Sequence, residues 1–223
     1  MHRRSKLVCL LSATLTIFGG PKAAPSQAAD QEEGFVSLFD GKSLDGWKLV
    51  DGSGRGYVVE EGTIVCPKDG GGKLFTNKEY ANFVFRFEYR LEPHGNNGIG
   101  IRAPLEGDAA YVGMEIQVLD DEHPDYAKLE PFQYHGSIYG CVAAKRGAPK
   151  KAGEWNTEEV LCDGRHVKVT VNDHVVVDAN LDDVKDKATL DAHPGLQRVK
   201  GHIGFLGHGE HVEFRKMRIK ELP

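Results

Sequence analysis

From residue 33 onward the chain alternates between apolar and polar positions. In the clearest run, 81–91, Phe83, Phe85, Phe87, Tyr89 and Leu91 fall on one face while Val84, Arg86, Glu88 and Arg90 fall on the other. That period of two marks a half-buried strand. Shorter runs of the same kind predict strands at 35–39, 57–60, 63–66, 73–76, 98–103, 112–119, 137–142, 159–162, 166–172, 175–178, 202–206 and 212–221. Glu61-Gly62 and Asp163-Gly164 lie between two such runs each and read as hairpin turns. Only 181–190 suggests a helix, of one or two turns. Many short strands without alternating helices predict an all-β fold, a sandwich or jelly roll of two antiparallel sheets packed face to face. No linker or repeat divides it, so one domain is expected over 33–223.

The first residues follow another pattern. Arg3, Arg4 and Lys6 precede an apolar run from Leu7 to Phe18, and Ser26-Gln27-Ala28 offers the small residues an export peptidase selects. A cleaved signal peptide over 1–28 is expected, with the mature protein periplasmic or extracellular. The twelve-residue run is short of the roughly 20 residues that span a bilayer, so no membrane anchor is expected in the mature chain.

Composition adds constraints. With 40% apolar and 27% charged residues the chain is globular, and its 27 glycines and 10 prolines, without a three-residue period, fit many tight turns. Removing residues 1–28 takes away Arg3, Arg4, Lys6 and Lys22 and no acid, which moves the formal charge from −5 to −9. Such a surface argues against a nucleic-acid partner. Cys66, Cys141 and Cys162 allow one disulfide at most, and all three read as small buried side chains, since Cys66 and Cys162 each end a strand-like run. No CxxC is present, so a thiolate zinc site has no support.

Two neighbouring strands carry specific polar faces. In Asn97-Gly98-Ile99-Gly100-Ile101-Arg102 the isoleucines take one side and Gly98, Gly100 and Arg102 the other. In the segment 114–120, Met114, Ile116 and Val118 point to the core while Glu115 and Gln117 project together, roughly 7 Å apart. If the strands pair, Arg102, Glu115 and Gln117 line one patch, with glycines making room for a polyhydroxylated ligand; the alternative is a solvated face with an ordinary ion pair. His135, near Gly136 and Gly140, offers a proton-transfer group near neutral pH or else a loop histidine facing water. Asp120-Asp121-Glu122-His123-Pro124-Asp125 reads as a solvated loop or as oxygen ligands for a divalent metal ion, the one cofactor considered. His208, between Gly207 and Gly209, can reach a site, whereas His202 and His211 read as surface, and Trp47 and Trp155 read as core rather than sugar-stacking residues.

A set of motifs then occurs in order: Leu38-Phe39-Asp40-Gly41-Lys42-Ser43-Leu44-Asp45-Gly46-Trp47, Asn97-Gly98-Ile99 with Arg102, Glu115-Ile116-Gln117-Val118-Leu119-Asp120, Gly136-Ser137-Ile138-Tyr139-Gly140, Gly153-Glu154-Trp155-Asn156, and Gly201-His202-Ile203-Gly204 with His208-Gly209 and Phe214-Arg215. Together they resemble the secreted bacterial family of 3-keto-disaccharide hydrolases, also described as 3-keto-glycoside 1,2-lyase and 3-keto-2-hydroxy-glucal hydratase domains. The likeness departs at Leu206, at Asn172-Asp173 and at Lys216. It implies a concanavalin A-like jelly roll and a carbohydrate partner, a 3-keto-glycoside, cleaved by elimination at C1–C2 and rehydration or by net hydrolysis. In that chemistry Glu115 or His135 is expected as base or acid, Arg102 as charge stabiliser, and Gln117, Asn97, Tyr139, His208 and Asp120 as substrate-binding residues. Two rivals stand beside it. One is a conventional glycoside hydrolase, disfavoured because the strand reads Glu115-x-Gln117 and an amide cannot replace a second carboxylate. The other is a carbohydrate-binding module without catalysis.

Overall fold

The computed structural model describes residues Glu33–Pro223; the signal peptide expected over 1–28 lies outside the described residues. Thirteen strands are present among them: β1 (Val36–Ser37), β2 (Trp47–Gly54), β3 (Val58–Glu60), β4 (Thr63–Cys66), β5 (Gly70–Thr76), β6 (Phe83–Leu91), β7 (Asn96–Ala103), β8 (Met114–Leu119), β9 (Asn156–Asp163), β10 (His166–Val171), β11 (His174–Asn180), β12 (His202–Gly207) and β13 (Val212–Glu221). Two short α-helices, α1 (Ala109–Val112) and α2 (Lys187–Ala192), complete the regular structure with a few 3-10 turns.

The strands form two antiparallel sheets, as the alternation predicts. One runs β11-β10-β9-β6-β13-β4-β3 with β1 paired to β13, and the other runs β2-β5-β12-β7-β8. Between them, the inward residues of β6 (Phe83, Phe85, Phe87, Tyr89, Leu91) meet those of β13, β12 and β7, and the ring centroids of Phe205 and Phe214 stack across the layers at 3.9 Å. Each buried aromatic of this kind contributes roughly 2–3 kcal/mol of transfer free energy, which fixes the register of every strand that carries one.

The second sheet also buries part of its other face. Phe75 on β5 and Leu206 on β12 pack there against Ala103 and Ala109, so that α1 roofs a corner of the sheet. Asp108 caps α1 by accepting from the Ala110 N–H at 3.1 Å. The uncovered remainder of this open face forms a cleft.

Several elements differ from expectation. β2 escapes the alternation because only Trp47 is buried in its Asp- and Gly-rich run. Residues 137–142 make isolated bridges, Ile116↔Ile138 and Ile138↔Val142, rather than a strand. The helix expected at 181–190 divides into a 3-10 turn at Leu181–Asp183 and α2. Trp47 joins the core, where its Nε1–H donates to the Leu38 carbonyl at 2.8 Å. Trp155 does not: it lies on the outer side of the first sheet, beneath the guanidinium groups of Arg215 and Arg90 at 3.8 and 4.8 Å.

Candidate functional site

The open face of the second sheet is built from residues whose neighbours point into the core. β7 and β8 pair with Gly98 opposite Gln117 and Gly100 opposite Glu115, so both polar side chains project from the sheet beside positions without side chains. Gly98 has a specific role: a Cβ there would stand 1.7 Å from Glu115 Oε1. The Glu115 side chain therefore folds across Gly98, a close approach that only glycine permits.

Glu115 is 4% exposed, and its Oε1 has no hydrogen-bond partner. His208, at the end of β12, brings Nε2 to 3.7 Å from that oxygen and leaves its own ring half-exposed at the rim. The separation is too long for a hydrogen bond but short enough for each charge to act on the other. Burial pushes the Glu115 carboxyl up, His208 partly offsets this, and Asp108 adds to the rise. Glu115 in turn raises the imidazole of His208 against the opposing effect of burial.

A cavity of about 420 Å³ opens over the pair, bounded also by Asp51 and Ser53 of β2, Lys73 of β5, Asp108 and Leu206. Lys73 Nζ donates to Asp51 Oδ2 at 2.6 Å and to the Gly107 carbonyl at 2.8 Å. Asp51 and Asp108 are thus tied to structural partners, whereas Glu115 keeps a buried oxygen uncommitted. Asn96, on the same face by alternation, likewise has a buried Oδ1 without a partner. Two orphaned buried acceptors on one sheet face suit a ligand rich in hydroxyl donors.

Of the residues singled out in the sequence, Glu115 and His208 come together at this cavity, and Gln117 lies on the same sheet face, its Oε1 accepting from the Val118 N–H at 3.1 Å. Tyr139 runs alongside β8, its N–H donating to the Glu115 carbonyl at 2.9 Å and its hydroxyl accepting from Gln133 at 3.0 Å, outside the residues that line the cavity. The others lie elsewhere. Arg102 points between the sheets, because a bulge between β7 and β12 breaks the alternation, with Arg102 itself at φ 47°. Its guanidinium donates to the carbonyls of Ala81, Gly164 and Arg198 and to Asn82 Oδ1. Asn97 faces the core, donating to the Tyr57 hydroxyl at 3.2 Å.

His135 is buried off the edge of β8. Its Nδ1 accepts from the Leu119 N–H at 3.1 Å, which puts the ring proton on Nε2, facing Tyr89 Oη at 3.0 Å and Glu158 Oε2 at 3.3 Å. Asp120 accepts from the His94 N–H at 3.0 Å and borders a different cavity. Sequence reasoning missed Lys73, Asp108 and Asn96. Lys73 was legible as the polar member of a predicted strand, and Asp108 as a helix-capping residue before Ala109-Ala110.

No helix among the described residues is long and apolar enough to cross a membrane. Comparisons with known proteins place the chain. A 3-keto-disaccharide hydrolase of Bacteroides thetaiotaomicron is 29% identical, with the alignment covering 85% of this chain and 79% of the relative. A solved structure from Parabacteroides distasonis, named as a candidate glycosyl hydrolase, superposes with a TM-score of 0.72 at 25% identity, covering 84% of this chain and 99% of that one. A Bacillus subtilis protein of unknown function with a galectin-like fold matches at a TM-score of 0.53 and 11% identity over 84% of this chain and 94% of its own, a likeness of fold alone. Residues 34–220 match the model of the 3-keto-alpha-glucoside-1,2-lyase-like domain, and the chain belongs to that family.

Proposed function

We propose that this protein cleaves the glycosidic bond of a 3-keto-glycoside, 3-keto-disaccharides included, by elimination across C1–C2 followed by hydration. The observation that carries the reading is Glu115: buried beneath the cavity, with an unpartnered oxygen, a raised carboxyl and His208 at its rim. The family and the relative's name support the substrate class.

The ketone at C3 acidifies the C2 proton, and ionised Glu115 takes it, a step worth about 10²–10⁴ in rate for a positioned base. The C–H electron pair becomes an enolate, and Lys73, in the same cavity, provides the positive charge earlier expected of Arg102. Collapse of the enolate forms the C1–C2 double bond and breaks the bond from C1 to the glycosidic oxygen, which receives a proton from His208. The Glu115 carboxyl then exchanges its proton with solvent; water adds to C1, giving one proton to the now neutral His208, while Glu115 delivers a proton to C2, and a free 3-keto sugar results. Gln117 and Tyr139 orient hydroxyls.

Turnover of a 3-keto-disaccharide in D₂O tests this. Deuterium should enter C2 of the product, and Glu115→Gln should lower kcat by about 10³. Parent-like turnover by the variant, or product without C2 deuterium, overturns the mechanism. Calorimetric binding of unoxidised glycans with no turnover of 3-keto-glycosides makes the protein a binding module instead.

A further inference from the structure

A second group of side chains gathers beyond the Glu115 cavity. His94, in the turn between β6 and β7, and His123 and Asp125, in the loop after β8, bring one donor atom each to within 4.8 Å of one another. Asp125 Oδ2 stands 3.5 Å from His94 Nε2 and 3.7 Å from His123 Nδ1. Ligands bonded tetrahedrally to a zinc-sized cation at about 2.0–2.1 Å lie about 3.4 Å apart. The two separations from Asp125 are thus within a few tenths of an ångström of a coordination set, and the two imidazoles, within 4.8 Å of each other, need close by no more than about 1.4 Å to complete it.

His94 is held in place from several sides. Its backbone is left-handed, at φ 68°, a conformation uncommon outside glycine. Its N–H donates to Asp120 Oδ2, the Tyr126 hydroxyl donates to its carbonyl at 3.2 Å, and the Tyr126 ring stacks on its imidazole with centroids 4.8 Å apart. Behind it, Glu210 Oε1 lies 3.9 Å from Nδ1, and Glu210 Oε2 is buried with no hydrogen-bond partner. A carboxylate beside the second nitrogen of an imidazole is how proteins fix the tautomer and basicity of a metal-bound histidine, and a nearby cation offsets the cost of burying it.

We propose that His94 Nε2, His123 Nδ1 and Asp125 Oδ2 bind a divalent transition cation of the zinc type, with Glu210 orienting His94. Two imidazoles and one carboxylate favour such a cation over calcium or magnesium, which take oxygen ligands. Binding replaces one long contact, the 3.3 Å donation from the Asp125 N–H to His123 Nδ1. The all-oxygen site that the acidic run suggests is not formed, because Asp120 is engaged by His94 and Asp121 by the His135 N–H. Three protein ligands leave a coordination position open, and Glu210 follows His208 by two residues, which links this site to the cavity rim.

Co²⁺ titration of chelator-treated protein, followed by visible absorption and calorimetry, tests the site without any substrate. One equivalent per chain is expected, with the intense bands of low-coordinate cobalt and displacement by Zn²⁺. His94→Ala and His123→Ala should abolish it, Glu210→Gln should weaken it about 10–100-fold, and Glu115→Gln should leave it unchanged. Asp125→Asn, at an exposed residue, should keep the fold and weaken binding at least tenfold, so it decides the matter even if a histidine variant fails to fold. Absence of saturable binding by the parent, or parent-like affinity in Asp125→Asn, overturns the proposal.

Discussion

Gly98 does for Glu115 what no other residue can do. Because a Cβ there would lie 1.7 Å from Oε1, Gly98→Ala has to displace the carboxylate, and a misplacement near 1 Å costs about 10²-fold in rate. The expected result is a kcat/KM lower by about that factor with an unchanged circular dichroism spectrum. Parent-like turnover would mean the reaction does not use the carboxylate where it rests. The pH profile follows from the same pair. Burial holds Glu115 above the usual carboxylate range, and Glu115 holds the His208 imidazolium above its own. A rate that needs Glu115 ionised and His208 protonated rises as pH passes the first raised value and falls as it passes the second. In His208→Asn the partner that lowers Glu115 is gone, so the acid limb should move to higher pH and the alkaline limb should disappear; an acid limb that stays put would uncouple the two residues. At this scale alternation made Glu115 and Gln117 legible, and flanking glycines singled out His208. The orphaned oxygens of Asn96 and Glu115 were not legible, because the lack of a partner is a property of packing.

Alternation guides a reader only while a strand stays regular. β7 carries a bulge after Gly100, two residues opposing one on β12, and the extra residue turns Arg102 from the open face into the layer between the sheets. The residue expected to stabilise a substrate's charge instead joins the start of β6, the β9–β10 turn and the segment before β12, through Ala81, Gly164 and Arg198. Arg102→Ala removes a buried side chain and leaves those carbonyls without their donor, so it should destabilise by about 3 kcal/mol, read as a lower urea midpoint, with kcat of the folded fraction unchanged. A variant as stable as the parent but without turnover would return Arg102 to the chemistry. Elsewhere the turns were readable where their dipeptides were: Asp163-Gly164 and Glu61-Gly62 join paired strands in the registers His166↔Asp163 and Glu60↔Thr63. β2 was not, since an edge strand with exposed Asp and Gly has no apolar face to display.

Which strands become neighbours is a property of the whole molecule, and it settles a question that cysteine spacing left open. Cys66 on β4 and Cys162 on β9 lie in the same sheet, separated by β13 and β6. Three inter-strand steps amount to about 14 Å, twice the roughly 7 Å that a disulfide can bridge between Cα atoms. Among the described residues Cys66, Cys141 and Cys162 are all free. Burial pushes the Cys66 and Cys141 thiols up to about 11 and the Cys162 thiol up to about 12, so little thiolate exists at neutral pH to be oxidised. Free cysteines are compatible on these terms with the export expected from the sequence, since the fold buries Cys66 and Cys162 and half-buries Cys141. If the expected signal peptide over 1–28 is cleaved, the mature chain should begin near Ala29 by N-terminal sequencing. It should show three thiols by titration in denaturant, slow labelling when native, and the same electrophoretic mobility with and without reductant. Four thiols would mean that Cys9 is retained and the expected cleavage does not occur, and a single thiol would mean that a pair has closed, which this strand order forbids for Cys66 and Cys162.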